Sequence, residues 1–210
     1  MRELWSRIER WFEDHLPDRT LRLRPGASEV AIARAEAVLD QRFPDDFRES
    51  LAVHDGQEDD PQIQWLPAAQ RLGSLDAIVR CWRADRSAYD PDPQRLEWLD
   101  RGGAARQALF HPKQIPIAGS TYWDYDRLLL DFIPGPNGHP GQVVARCDIE
   151  IEHVCQSFRS LLEQTIGGLE SGTITFQPMN EELASVPGEL EVVYRSPRAK
   201  RPLAFFKYFR

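Results

Sequence analysis

Asp124, Asp126 and Asp131 are the residues of this 210-residue chain whose types and spacing come nearest to acid–base chemistry. Paired carboxylates hydrolyse glycosides or hold a divalent cation when they share a site. In an extended segment Asp124 and Asp126 fall on one face and Asp131 on the other. With no further ligands beside them, the pattern favours a solvated turn and one hydrogen-bonded strand aspartate. Cys147, His153 and Cys155 are the nearest approach to a metal set. A structural zinc site takes four ligands, usually in two close pairs, and His153-x-Cys155 has no second pair. There is no G-x-S-x-G, and none of the five histidines stands in a catalytic motif. The segment GPNGHPG lacks the GK[ST] of a phosphate loop, and its prolines remove amide donors. These residues predict a protein that is not an enzyme and holds no metal or cofactor.

The elements that position them are organised around 128–145, LLLDFIPGPNGHPGQVVA. Two apolar runs, 128–133 and 143–145, flank a segment in which Gly135, Gly138 and Gly141 are free to take φ > 0. Pro134, Pro136 and Pro140 fix φ and remove donors, so a strand ends on either side. The first run is apolar on both faces except for Asp131, as in a strand covered on both sides. The spacing predicts an antiparallel pair in the middle of a sheet.

Upstream, Leu4, Trp5, Ile8, Trp11, Phe12 and Leu16 recur at helical spacing until Pro17. Ser28 is a good N-cap for a helix that turns Ile32, Ala35, Val38 and Leu39 inward, and Phe43-Pro44 stops it. A helix follows over 45–54, with Gly56 in the left-handed position that closes it. Glu58, Asp59 and Asp60 make an acidic turn, and Ile63, Trp65 and Leu66 a short strand. Ser74 caps a further helix carrying Leu75, Ile78, Val79 and Trp82. The DPDP run at 90–93 cannot be helical, and 86–109 is expected to be an insertion on the domain. Residues 115–118 are a strand that Pro116 places at an edge or a strand start. A long helix is expected to bear Val154, Phe158, Leu161, Leu162, Ile166 and Leu169, with Cys155 near its apolar face and a kink or early end at Gly167-Gly168. Residues 173–176 and 190–194 are strand candidates.

The chain is long enough for a core without staples, and no apolar run approaches a bilayer span. Three scattered cysteines and an N-terminus without a signal-peptide pattern predict a cytoplasmic protein. From Arg195 onward the tail RSPRAKRPLAFFKYFR holds six of the 26 Lys/Arg and none of the 33 Asp/Glu, which leaves residues 1–194 at a formal charge of −13. An acidic body repels nucleic acid and favours a cationic partner. The interleaved basic and aromatic tail has the composition of a base-stacking or membrane-surface segment. With so acidic a body, docking on it or a homodimer contact is favoured.

In their order these residues resemble the SUKH superfamily of bacterial immunity proteins, which also contains a fungal cell-wall-assembly regulator linked to killer-toxin resistance. The resemblance runs through PGASEVAIARAEAVLDQRFPDDFRESLAVHDG, where Ile32, Glu36, Phe43-Pro44, Phe47 and His54-Asp55-Gly56 fall on the superfamily's pattern, with Phe for Leu and Asp for Asn as departures. It continues in IPIAGSTYWDYDRLLLDFIPGPNGHPGQVV, at Asp131, Pro134, Gly138, Gly141, Gln142 and Val143, and in the closing helix QSFRSLLEQTIGGLESG. It implies an α+β single domain with a central, mostly antiparallel sheet flanked by helices, over residues 1–176, followed by an extension at 177–210. It also implies a non-enzymatic binding protein. The first expectation is an immunity protein that neutralises a cognate toxin, such as a nuclease. A regulatory or scaffolding role in cell-wall assembly is the alternative. Neither nucleic acid nor a membrane is expected as a partner. Complementary charge speeds and orients the capture of a cationic toxin, so Glu58, Asp59, Asp60, Trp123, Asp124 and Asp126 are the candidate partner-binding residues. Glu36, Pro44, Gly56, Asp131, Gly138, Gly141 and Gln142 are the fold signature.

Overall fold

The computed structural model describes residues 1–19, 21–58, 63–67, 70–89, 102–120, 123, 126–147, 150–179 and 189–194. In chain order its elements are α1 (Arg2–His15), α2 (Glu29–Leu39), α3 (Asp45–Leu51), β1 (Ile63–Gln64), β2 (Arg71–Leu72), α4 (Leu75–Ala88), β3 (Gln114–Gly119), β4 (Arg127–Asp131), β5 (Gln142–Cys147), β6 (Glu150–Cys155), α5 (Phe158–Glu170), β7 (Ile174–Pro178) and β8 (Leu190–Tyr194). The strands make two sheets. One has five strands in the order β2-β3-β4-β5-β6, all antiparallel; the other has three in the order β1-β8-β7, with β1 and β8 parallel.

The apolar runs at 128–133 and 143–145 lie where their composition places them. β4 and β5 are interior neighbours of the larger sheet, with Leu128 opposite Ala145 and Leu130 opposite Val143. The first run leaves the ladder at Asp131, and Phe132 and Ile133 already belong to the turn. Alternation then divides the side chains. Leu128, Leu130, Val143 and Ala145 join one large cluster with α1 to α5, whereas Leu129 and Val144 join a small one with Ala105 and Ile151. The large cluster also takes in Ile63, Ile174 and Val192 of the smaller sheet, so a single core spans both sheets. Its widest members include Trp5, Trp65, Phe43 and Phe158, all fully buried.

The helices start where their caps predict. Ser28 Oγ accepts from Ala31 N and Ser74 Oγ from Ala77 N, each cap contributing about 1 kcal/mol. Elsewhere the structure departs from the sequence reading. The stretch expected to open a long helix at Val154 is a strand, β6, and the helix begins only at Phe158, capped by Ser157. Cys155 is therefore a buried strand residue. Gly167-Gly168 does not break α5; a Cβ on Gly168 would meet Ile174 Cγ1 at 2.6 Å, so this glycine lets β7 lie close to the helix. α3 stops at Leu51, and Ala52, in αR geometry, ends it rather than Gly56. β3 is not an edge strand. β2 pairs only with Ala118 and Gly119, so Pro116 faces no β2 residue and sits at a register shift opposite Leu129. Within the extension expected after residue 176, β8 is the middle strand of the smaller sheet.

The part of 86–109 that the structure describes beyond α4 covers the larger sheet. Ala105 and Leu109 pack on Leu129, Val144 and Ile151. Gln107 turns its side-chain amide to the outer strand, accepting from Ile151 N at 2.8 Å and donating to Ile151 O.

Candidate functional site

The fold-signature residues are tie points of the architecture. Glu36 accepts from Phe43 N at 2.8 Å and pairs with Arg48, which fastens the α2–α3 connection onto α3. Pro44 is the N-cap residue of α3, and its ring lies against Gly141. Gly56 takes φ 71° with the Gly73 backbone directly against it. Among the three glycines of the β4–β5 loop, only Gly141 has a positive φ, 88°. Gly135 and Gly138 are glycines for another reason: a Cβ there would be driven into the carbonyl oxygens of Gly103 and Ala104.

Asp131 anchors this loop from inside the protein. Its Oδ2 accepts from Gln142 Nε2 at 2.9 Å, and its Oδ1 accepts from Ile133 N at 3.1 Å and Gln114 Nε2 at 3.4 Å. Gln142 in turn donates to Ala104 O at 2.7 Å and accepts from His139 N at 3.2 Å. Burial raises the Asp131 carboxyl above its ordinary value, opposed by the hydrogen bonds from Gln142, Ile133 and Gln114. The folded protein thus holds this proton more tightly than the unfolded chain does. Ionising Asp131 costs stability, in a window that opens at the unfolded value of 3.8 and closes above the folded one. Urea midpoints measured from about pH 4 to about pH 7 are expected to carry a component that falls as pH rises, and Asp131→Asn should lack it. Parallel profiles for the two proteins would contradict this.

Asp126 is exposed just before β4 and Asp131 is buried at its end, roughly 17 Å along the strand at 3.3 Å per residue, so the two do not act as a carboxylate pair. Asp124 lies outside the described residues. Cys147 faces Glu150 at one end of the β5–β6 pair and Cys155 faces Val143 at the other. Burial pushes each thiol up to about 12, which disfavours the thiolate a metal or a nucleophile requires. Among the described residues, no group of three or more His, Cys, Asp and Glu is placed to hold a metal.

The candidate partner-binding loops meet at Arg71. Arg71 Nη1 donates to Glu58 O at 2.7 Å, and its guanidinium carbon lies 6.0 Å from the Trp123 ring centroid. Glu58, which is exposed, and Trp123 therefore share one buried guanidinium. Trp123 is not a projecting anchor. It is half-buried at φ 50°, with its ring against Gly73 and Gly119, where added Cβ atoms would stand 2.5 and 2.9 Å from it. Asp59 and Asp60, like Asp124, lie outside the described residues, as does the tail from 195.

Two buried polar centres carry no local signal in the sequence. Gln57 donates to Leu21 O and Ile63 O and accepts from Trp65 Nε1 and Leu72 N, at 3.0 to 3.2 Å, which links β1 of one sheet to β2 of the other. Asp85, near the end of α4, holds Arg127 of β4 at 2.8 Å and Arg146 of β5 at 3.0 Å, all three buried. Arg146 also lies 4.6 Å over the Phe110 ring, a cation–π contact. Burial lowers the Arg146 pKa and Asp85 opposes the shift.

These features define an α+β domain whose signature positions hold turns and loop crossings. The chain belongs to the SMI1 / KNR4 family (SUKH-1), which matches residues 26–164 and so runs from the turn before α2 into α5. It is similar to the cell wall biosynthesis/cell cycle regulator smi1 of Schizosaccharomyces pombe, 30% identical over 155 residues that cover 68% of this chain and 30% of that protein. It is also similar to a glucan synthesis regulatory protein of Neurospora crassa, 26% identical over 67% of this chain and 32% of the relative. A third relative is the cell wall assembly regulator SMI1 of Saccharomyces cerevisiae, 24% identical over 95% of this chain and 46% of the relative. The chain thus spans about a third to a half of the length of these relatives, all of which are named as regulators. No helix among the described residues is long and apolar enough to cross a membrane.

Proposed function

We propose that the chain is a non-catalytic protein-binding module that regulates by holding partner proteins, with cell-wall assembly as the process it serves. The observation that supports this is the family match over about two thirds of the chain, joined to relatives named as regulators of wall or glucan synthesis. A strain lacking the protein is expected to become sensitive to a wall-perturbing dye and to recover when the full chain is restored. Unchanged tolerance would overturn the wall role.

The charge of the body favours a second reading, an immunity protein. Residues 1–194 stand at −13, and exposed Glu58 and the Trp123 ring both contact Arg71, so a cationic toxin would be attracted and oriented. On this reading Glu58, Asp59, Asp60, Trp123, Asp124 and Asp126 form the toxin-facing surface. Titration against a toxin encoded beside the gene should then give stoichiometric neutralisation. Asp59→Lys/Asp60→Lys should weaken binding about tenfold, and so should Trp123→Ala, each variant being compared only with its circular dichroism and Tm unchanged because the Trp123 ring packs on Gly73 and Gly119. Unchanged affinity and salt dependence in both would remove this surface.

A further inference from the structure

Between α2 and α4 runs an open groove of about 610 Å³. Its floor is apolar: Ala31, Ala35 and Val38 line it from α2, and Leu75 and Val79 from α4. The α2 residues recur at i, i+4 and i+7, so they form one stripe along the helix. Val30, directly before this stripe, is 68% exposed and is the one exposed large apolar side chain among the described residues. The wall of the groove is basic. Arg34 of α2 and Arg80 and Arg83 of α4 are exposed there, and none of them forms an ion pair among the described residues.

Two carboxylates share the groove, but only at one end. Asp55 is engaged, accepting from Leu75 N at 2.7 Å and standing 4.0 Å from Arg24 Nε. Asp76 is in the first turn of α4, where it complements the helix dipole. The stretch from Val79 to Arg83 has no acid of its own. With three arginines against two aspartates the lining is net basic, its excess at the Arg80–Arg83 end, on a body of charge −13; such a local reversal of sign selects for a partner that the rest of the surface repels.

We infer that the α2–α4 groove is a docking site for an acidic amphipathic helix of a partner protein, its apolar face on the half-buried Ala31, Val38 and Val79 and its flanking carboxylates on Arg34, Arg80 and Arg83. Helix-in-groove recognition uses this combination of an apolar floor and charged walls. The inference rests on the reading of the chain as a binding module and names the chemistry of one partner.

The test uses the full chain and a synthetic helical peptide with leucines at i, i+3, i+4 and i+7 and glutamates on both flanks. A second peptide carries lysines in place of the glutamates. In an NMR titration the acidic peptide should shift the amide resonances of 30–38 and 75–83, and the lysine peptide should bind at least about tenfold more weakly. Arg80→Glu/Arg83→Glu, and separately Arg34→Glu from the opposite wall, should each weaken the acidic peptide and flatten its salt dependence. The circular dichroism spectra and Tm of these variants should match the parent, because all three arginines are exposed. Shifts confined to the Glu58–Trp123 side, equal affinity for both peptides, or broadening of 30–38 and 75–83 from self-association alone would each overturn the groove. A natural partner that binds the Arg80→Glu/Arg83→Glu protein undiminished would also overturn it while leaving the regulatory reading intact. Conversely, unchanged dye tolerance in the deletion strain bears on the regulatory reading alone.

Discussion

Asp85→Ala is expected to destabilise the protein by about 3–5 kcal/mol, because it leaves the buried guanidinium groups of Arg127 and Arg146 without the carboxylate that both of them hold. For a domain of this size the loss corresponds to a fall in Tm of roughly 10 °C. Replacing all three charges at once, as Asp85→Leu/Arg127→Met/Arg146→Met, should cost far less, since the desolvation of the ions disappears along with their attraction. Urea unfolding of the single and triple variants measures both. A single-variant loss below about 1 kcal/mol would show that the cluster is solvated like a surface pair.

Gly56→Ala should also be severe, by about 3 kcal/mol or more. Two costs fall on one residue there. The φ of 71° disfavours any side chain, and the new Cβ would stand 2.5 Å from Gly73 O and from Ser74 N, backbone atoms at the start of α4. Gly172 separates these costs, because it shares the φ of 71° but has open space around its missing Cβ. Gly172→Ala should therefore carry only the left-handed penalty of about 1 kcal/mol. Equal losses at the two positions would mean that the approach of Gly56 to Gly73 is not tight.

What the sequence made legible was local. Ser28 and Ser74 ahead of periodic apolar residues mark two helix starts, and the doubly apolar run with its Pro/Gly boundary marks the central strand pair. The strand β6 was hidden because Val154 and Phe158 stand four apart, which mimics a helical period across a strand–helix junction. Ser157, whose Oγ accepts from Ser160 N, was the signal that would have placed the helix start. Of the loop glycines, Gly141 takes the expected positive φ, but Gly135 and Gly138 are needed for closeness to Gly103 and Ala104, which come more than thirty residues earlier. Asp85, Arg127 and Arg146 are separated by 42 and 61 positions, and Gln57 bridges two sheets, so no window of sequence contains either arrangement. Of the candidate partner residues, the sequence placed Glu58 and Trp123 in loops. Only the structure brings both to Arg71.

The position of β8 in the middle of the smaller sheet sets an order for synthesis on the ribosome. Every strand of the larger sheet has been made once Cys155 is complete, and its pairings are between near neighbours except at β2. β1 has no such neighbour. Ile63 pairs with Leu190, so the strand is made early and must wait for almost the whole chain. At a synthesis rate of 5–20 residues per second this wait is on the order of ten seconds. During it Ile63, which ends fully buried, has no strand to pair with. Until then the nascent chain carries Ile63 and Gln64 without their partner strand, and an uncovered Ile63 is the kind of apolar surface that chaperones bind.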